Sequence, residues 1–288
     1  MRLELVETQR YAVLSQRATR QRWFGRSVAA FTNYKTRVDY GDAALRALME
    51  PHLRKMRAAR PTTDSSMTAR ILRYDAGRYK LAEALRGALG VGSLEACACA
   101  DAHEKRALLA PLLDLATRRP FQRAYDAWVR GVVLPEIAAD ATRVRYQQFP
   151  CVRAQCPGDM TLGPHCDAAY GHAASTTIVS ALLTRAFGTN ALIYESSPGR
   201  ENWTAFEGSE GSALAFPGGL AAHFTSENTT GVTRWSIDAR IVLLDDATSA
   251  YDEGGYFAVA ERVGGAWRRV GDEIDAVDPR AGIPFDRN

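Results

Sequence analysis

From about Thr142 onward the chain offers only short β-like runs, separated by Gly, Pro, Asn and Asp clusters that leave no room for crossover helices. The runs are Arg143–Gln148, Val152–Cys156, Thr176–Leu183, Ala191–Tyr194, Trp203–Phe206, Ser212–Phe216, Ala222–Thr225 and Thr233–Leu243. A parallel sheet needs a helix between successive strands, so this spacing predicts antiparallel strands closed into a jelly roll or small barrel. A further hairpin is expected within Gly255–Val270, followed by a polar tail. Upstream the texture is helical. Ala43–Met56, Ala69–Leu89 and Glu104–Ala116 carry apolar residues at three- and four-residue spacing. Pro120–Ala139 opens with a proline suited to a first helical turn, and Pro135 is expected to kink or end that helix. The expectation is one compact domain: a helical region over 1–141, a β core over 142–248, and a hairpin and tail over 249–288.

Composition excludes more than it assigns. With 46% hydrophobic and 24% charged residues, the 288-residue chain has the make-up of a globular protein. A net charge of +3 is too small for a nucleic-acid partner, because phosphate binding needs clustered cations. The basic group Arg54, Lys55, Arg57 and Arg60 reads as a solvated helix face. Met1–Arg10 lacks the apolar run of a signal peptide, and no stretch is long enough to span a bilayer; the expected location is the cytoplasm. Cys97, Cys99, Cys151, Cys156 and Cys166 form no framework and read as reduced thiols, which leaves the N-x-T matches at Asn202 and Asn228 without meaning as glycosylation sites. Gly87, Gly90 and Gly92 do not connect a strand to a helix, so no dinucleotide site is expected there.

The chemistry concentrates at Gly163-Pro164-His165-Cys166-Asp167. On an extended strand, residues two apart share a face, so His165 and Asp167 are expected to grip one ion together. An H-x-D tripeptide alone is a weak signal. Of the remaining histidines, His223 lies inside the β segment after Phe216-Pro217-Gly218-Gly219, whereas His52 and His103 belong to the helical half. Two imidazoles and one carboxylate form the facial triad of non-haem Fe(II) oxygenases, which leaves three positions for a chelating co-substrate and O2. Shortly after His223 comes Arg234-Trp235-Ser236-Ile237-Asp238-Ala239-Arg240. Its alternation turns Arg234, Ser236, Asp238 and Arg240 to one face, and burying such groups is costly without partners. A dicarboxylate such as 2-oxoglutarate supplies one, taking the Arg234 guanidinium as a fork with the Ser236 hydroxyl as a further donor. His172, just past Tyr170, is expected at the pocket rim in a substrate-contacting role.

The runs RYQQFPCVRAQCPGDMTLGPHCDAAYGH, GTNALIYESSPGRENW and HFTSENTTGVTRWSIDAR resemble Fe(II)/2-oxoglutarate oxygenases of the phytanoyl-CoA-hydroxylase-like kind. The branch they are most similar to is that of aminoglycoside-antibiotic pathways, such as those to streptomycin and hygromycin B. The resemblance covers 120–244 well and the helical half weakly. It implies a double-stranded β-helix (a jelly roll, cupin-like) buttressed by N-terminal helices. It further implies His165, Asp167 and His223 as Fe(II) ligands and Arg234 and Ser236 as 2-oxoglutarate anchors. Arg240 is the alternative anchor, and Gln155 and Asn190 would flank the co-substrate. The implied reaction consumes O2 and 2-oxoglutarate and oxidises an unactivated C–H of a polar small molecule. Hydroxylation, desaturation and oxidative ring closure, including orthoester formation, stay open. Halogenation does not, because Asp167 occupies the position a halide would need. A polycationic substrate calls for carboxylates, with Asp159, Glu195, Glu201 and Asp238 as candidates. The competing readings are the same chemistry on a free or carrier-bound amino acid, a Zn(II) hydrolase or cupin-like isomerase, and a non-catalytic sugar-binding jelly roll.

Overall fold

In the computed structural model the described residues are 54, 68–159, 165–170, 172–200, 202–243, 255–271 and 279. Apart from positions 54 and 279, the helix expected over Ala43–Met56, the basic face around it, His52, Glu201 and the polar tail lie outside this set.

Strand pairing alone defines the architecture. Among the described residues, eleven strands run β1 (Arg70–Arg73), β2 (Arg143–Gln147), β3 (Cys151–Gln155), β4 (Thr177–Leu182), β5 (Leu192–Glu195), β6 (Trp203–Phe206), β7 (Ser212–Phe216), β8 (His223–Thr225), β9 (Arg234–Leu243), β10 (Phe257–Val263) and β11 (Ala266–Val270). The large sheet has the order β1-β7-β4-β9-β2-β10-β11, with β3 also paired to β9; the small sheet is β6-β5-β8. Every strand pair is antiparallel. His165 extends the small sheet through an isolated bridge to His223. From β3 the chain goes to His165 in the small sheet and back to β4 in the large one. It then crosses to β5 and β6, returns to β7, crosses to β8 and returns to β9. This alternation is the winding of a double-stranded β-helix, a jelly roll.

The two faces of the large sheet do different work. One face joins Val179, Ala181, Ala213, Ala215, Trp235, Ile237 and Ala239 to Leu85, Phe121, Tyr125 and Trp128 of the helices in one apolar core. The other meets the small sheet through Ile178, Leu182, Leu192, Tyr194, Phe206, Leu214 and Phe216. The buttressing helices are α1 (Ala76–Tyr79), α2 (Leu81–Leu89), α3 (Ala102–Leu109), α4 (Leu115–Trp128) and α5 (Leu134–Ile137). Among the described residues, no helix is long and apolar enough to cross a membrane.

The sequence reading of the helical half needs two corrections. Arg70–Arg73, expected as helix, is strand β1 on the edge of β7, with Leu72 turned inward and Ile71 45% exposed. Pairing with an otherwise open edge outweighs local helix propensity there. The helix expected to open at Pro120 starts earlier, at Leu115, where the Asp114 carboxylate accepts from the Thr117 amide at 2.8 Å. Pro120 therefore sits inside α4. Ahead of Pro135 the helix widens into a single π turn over Val129–Val133, and it ends at Ile137. Proline lacks the amide to continue a ladder and crowds the preceding turn, and a π turn absorbs that misfit. The turn also carries Gly131, where a Cβ would fall 2.5 Å from the Tyr79 hydroxyl.

Trp235 ties the two halves together. It is fully buried, and its indole nitrogen donates to the Leu94 carbonyl at 2.9 Å. Trp235→Ala is expected to cost about 3–5 kcal/mol, read as a lowered urea midpoint with little change in slope.

Candidate metal centre

Three elements bring the donors together. β8 supplies His223. The bridge to it positions His165, whose amide donates to the His223 carbonyl at 3.2 Å while the His223 amide donates back at 2.9 Å. Asp167 is not on the extended strand expected for it but opens a 3-10 turn over Asp167–Tyr170. Its amide donates to the Gly218 carbonyl at 2.9 Å, and the Ala168 amide to the Gly219 carbonyl at 3.1 Å. The Phe216-Pro217-Gly218-Gly219 turn thus sets where the carboxylate stands. Gly219 has no room for a side chain, since a Cβ would lie 2.4 Å from the Ala174 carbonyl oxygen.

Among the described residues, one group of His, Cys, Asp and Glu has donor atoms close enough to hold a metal ion: His165, Asp167 and His223, all within 4.8 Å of one another. Asp167 Oδ1 lies 3.6 Å from His165 Nε2 and 3.9 Å from His223 Nε2. His223 Nδ1 sits 3.1 Å from the Ala221 carbonyl, which fixes the tautomer with the proton on Nδ1 and leaves Nε2 as a lone-pair donor. Phe216 packs edge-on against the His223 ring at 5.1 Å. Burial, followed by the nearby His165, pushes the His223 imidazole down to about 3, so it is neutral at physiological pH. Burial disfavours the Asp167 charge, yet Arg240 and the two imidazoles hold its carboxyl well below the usual range. Two imidazoles and one carboxylate, converging with His223 and Asp167 buried and His165 half-buried, suit a divalent transition metal.

A second polar cluster lies on the inward face of β9. The Arg234 guanidinium donates to the Asn190 carbonyl at 3.0 Å, to Gln155 Oε1 at 2.7 Å and to the Ser236 hydroxyl. Gln155 is held in turn by the Ser226 carbonyl at 2.6 Å. Four of the five expected co-substrate residues therefore meet at one point, although Asn190 contributes its backbone carbonyl; its side-chain amide caps Phe187 and donates to Thr230. Burial lowers Arg234 to about 10, still cationic at physiological pH. Its hydrogen-bond partners are all neutral. Arg240 is elsewhere: its Nε donates to Asp167 Oδ2 at 2.7 Å.

The expected substrate residues are placed differently. Asp238 pairs with Arg153 at 2.9 Å. The fully buried Glu195 carboxylate accepts from the Ala222 amide at 2.8 Å and the Gly199 amide at 3.1 Å, binding backbone rather than lining a rim. Asp159 pairs with Lys105. His172 is half-buried, its amide donating to the Asp167 carbonyl at 3.3 Å and its ring 5.7 Å from that of Tyr256. The Tyr170 side chain lies outside the described set. The sequence reading missed Gln147, Cys151 and Tyr256, which surround Arg240, and Arg153; the inward alternation of β3 against β9 was the signal for Cys151 and Arg153.

No family model matches the chain. In sequence it is similar to the streptomycin biosynthesis protein StrG of Streptomyces griseus, at 27% identity over 177 residues, covering 59% of this chain and 82% of that protein. In structure it is similar to the apo form of the non-haem monooxygenase ThoJ, with a TM-score of 0.45 and 10% identity over 73% of this chain and 82% of that one. The non-haem 2-oxoglutarate-dependent epimerase SnoN of nogalamycin biosynthesis gives a TM-score of 0.36 and 16% identity over 75% and 86%.

Two outcomes follow from this geometry. Gly219→Ala must displace the turn that seats Asp167, and metal uptake, read by equilibrium dialysis, is expected to fall by an order of magnitude or more. His223 has a folded value near 3 and an ordinary value of 6.5, so below pH 6.5 the unfolded chain binds more protons than the folded one. Metal-free protein is therefore expected to lose thermal stability as pH falls from 6.5 towards 3, with a shallower decline in His223→Asn.

Proposed function

We propose that the protein is a non-haem Fe(II)- and 2-oxoglutarate-dependent oxygenase that oxidises an unactivated C–H of an aminoglycoside or aminocyclitol intermediate in antibiotic biosynthesis. The observation that carries the mechanism is one barrel interior holding both a converging His-Asp-His donor set and a buried arginine whose hydrogen-bond partners are neutral groups. His165, Asp167 and His223 would hold the iron, and the remaining positions would take the co-substrate and O2. Bound Fe(II) and 2-oxoglutarate would supply the oxidising power, with succinate and CO2 as co-products. Arg234 and Ser236 bind and orient the distal carboxylate, and Gln155 braces the guanidinium fork from the far side. Asp167 keeps the carboxylate position filled, in favour of oxygenation over halogenation. A zinc hydrolase or isomerase has no use for the Arg234 cluster.

The likeness to StrG supports the substrate class. The interior limits how such a substrate lies. Among the described residues, Asp238 is paired with Arg153 and Asp167 with Arg240, so neither interior carboxylate is left over for a cationic substrate. Ammonium groups belong at the mouth, and the hydroxylated ring carbons point at the metal.

Anaerobic addition of Fe(II) and 2-oxoglutarate is expected to produce a weak visible charge-transfer band, and its absence in reconstituted protein favours zinc. Succinate release should rise with one or more members of an aminoglycoside panel; stimulation by amino acids alone overturns the substrate class. Arg234→Ala is expected to raise KM for 2-oxoglutarate by about 10–100-fold, the scale of one lost charge-assisted fork. Metal uptake should be unchanged in that variant.

A further inference from the structure

The two oxygens of Asp167 have different neighbours. Both histidine Nε2 atoms face Oδ1, at 3.6 and 3.9 Å, whereas Oδ2 accepts from Arg240 Nε at 2.7 Å. We propose that Arg240 is a positioning residue that confines Asp167 to ligation through Oδ1 alone, and so keeps one coordination position of the metal open. The inference rests on the metal-centre reading above and goes beyond it by naming what controls the number of vacant positions.

Carboxylates bind metals through one oxygen or through both. In a six-position shell, two imidazoles and a one-oxygen carboxylate leave three positions. A chelating co-substrate takes two of them, and O2 needs the third. If Asp167 turned edge-on, only two positions would remain and the co-substrate would fill both. The denticity of a single carboxylate therefore separates a centre that admits O2 from one that does not.

Arg240 is built to impose that choice. Its side chain is 7% exposed, on the inward face of β9 with Ile178 of β4 opposite in register. Its Nη1 lies 3.1 Å from each of Gln147 Oε1, Cys151 Sγ and the Tyr256 hydroxyl. Gln147 is itself fixed, donating to the Phe149 carbonyl at 2.7 Å. Three contacts thus hold the guanidinium at Nη1 and oppose its following Oδ2 if the carboxylate rotates. The contrast with Arg234 separates the two roles. Arg234 bonds neutral groups and keeps its charge for an incoming carboxylate, whereas Arg240 already has its counter-ion in Asp167.

The test uses metal-free full-length protein titrated with Co(II), whose visible absorption reports both affinity and coordination number. Arg240→Gln is expected to weaken Co(II) binding about 10–100-fold, the range for outer-shell partners of metal ligands. Once 2-oxoglutarate is added, the substitution should also weaken the band per bound ion, because a two-oxygen carboxylate would then fill the position that is otherwise open. Arg240→Lys should fall between, and added guanidinium should restore the band in Arg240→Ala. The 2-oxoglutarate affinity of the metal-loaded variants should stay within about threefold of wild type. Tyr256→Phe leaves the ion pair whole and removes one brace, so a small loss of Co(II) affinity with wild-type thermal unfolding is expected. Unchanged Co(II) affinity and spectrum across the Arg240 variants, with a large loss of 2-oxoglutarate affinity, overturns the inference and makes Arg240 an anchor. Wild-type protein that takes up no Co(II) overturns the metal centre as a whole.

Discussion

The structure depends on one strand being buried on both sides. β9 is ten residues long, and nine of them are buried. One face, from Trp235 to Ile241, is cemented into the helix-backed core, so the strand cannot shift register by one residue without driving arginines into that core. The other face must then keep Arg234, Ser236, Asp238 and Arg240 inside the barrel, and each finds a partner there. Burying an ion pair is at best neutral for stability, while stripping one partner from it costs about 3–5 kcal/mol. Such a face is hard to justify as architecture alone. Two of the interior arginines are explained by the anions they meet, Asp167 for Arg240 and Asp238 for Arg153, and the third, Arg234, by the co-substrate carboxylate proposed for it.

The β half was legible because period-two patterning and turn residues are local signals. All eight expected runs are strands to within a residue or so of their ends, and the hairpin lies where Gly255–Val270 placed it. The polar face of β9 was legible for the same reason. What local patterning could not show is what lies opposite. Arg70-Ile71-Leu72-Arg73 has no strand signature of its own and is extended because β7 leaves an edge to pair with. The tripeptide His165-Cys166-Asp167 does not encode a 3-10 turn; the carbonyls of Gly218 and Gly219, far along the chain, draw Asp167 into it. Gln147 and Tyr256 meet Arg240 only after β2 and β10 have joined the large sheet.

The division of labour between two interior arginines also rests on long-range neighbours. Residue type and strand position make Arg234 and Arg240 equivalent, six positions apart on one face of β9. They differ only in what β3, β2 and the Asp167 turn bring against them. A motif read along the chain leaves two arginines alike; the partners across the sheet set them apart.

Glu195 has a consequence for anyone wishing to change what the barrel accepts. Its carboxylate spans the amide beside His223 and the amide of Gly199, so the loop leaving β5 and the strand bearing a metal donor share one buried acceptor. Loop grafts between Ser196 and Asn202 that move the Gly199 amide would leave that charge half-solvated by protein and pull on Ala222. A redesigned loop would then degrade the centre without touching a ligand. Keeping the backbone at position 199 in place is the boundary condition for varying the rest.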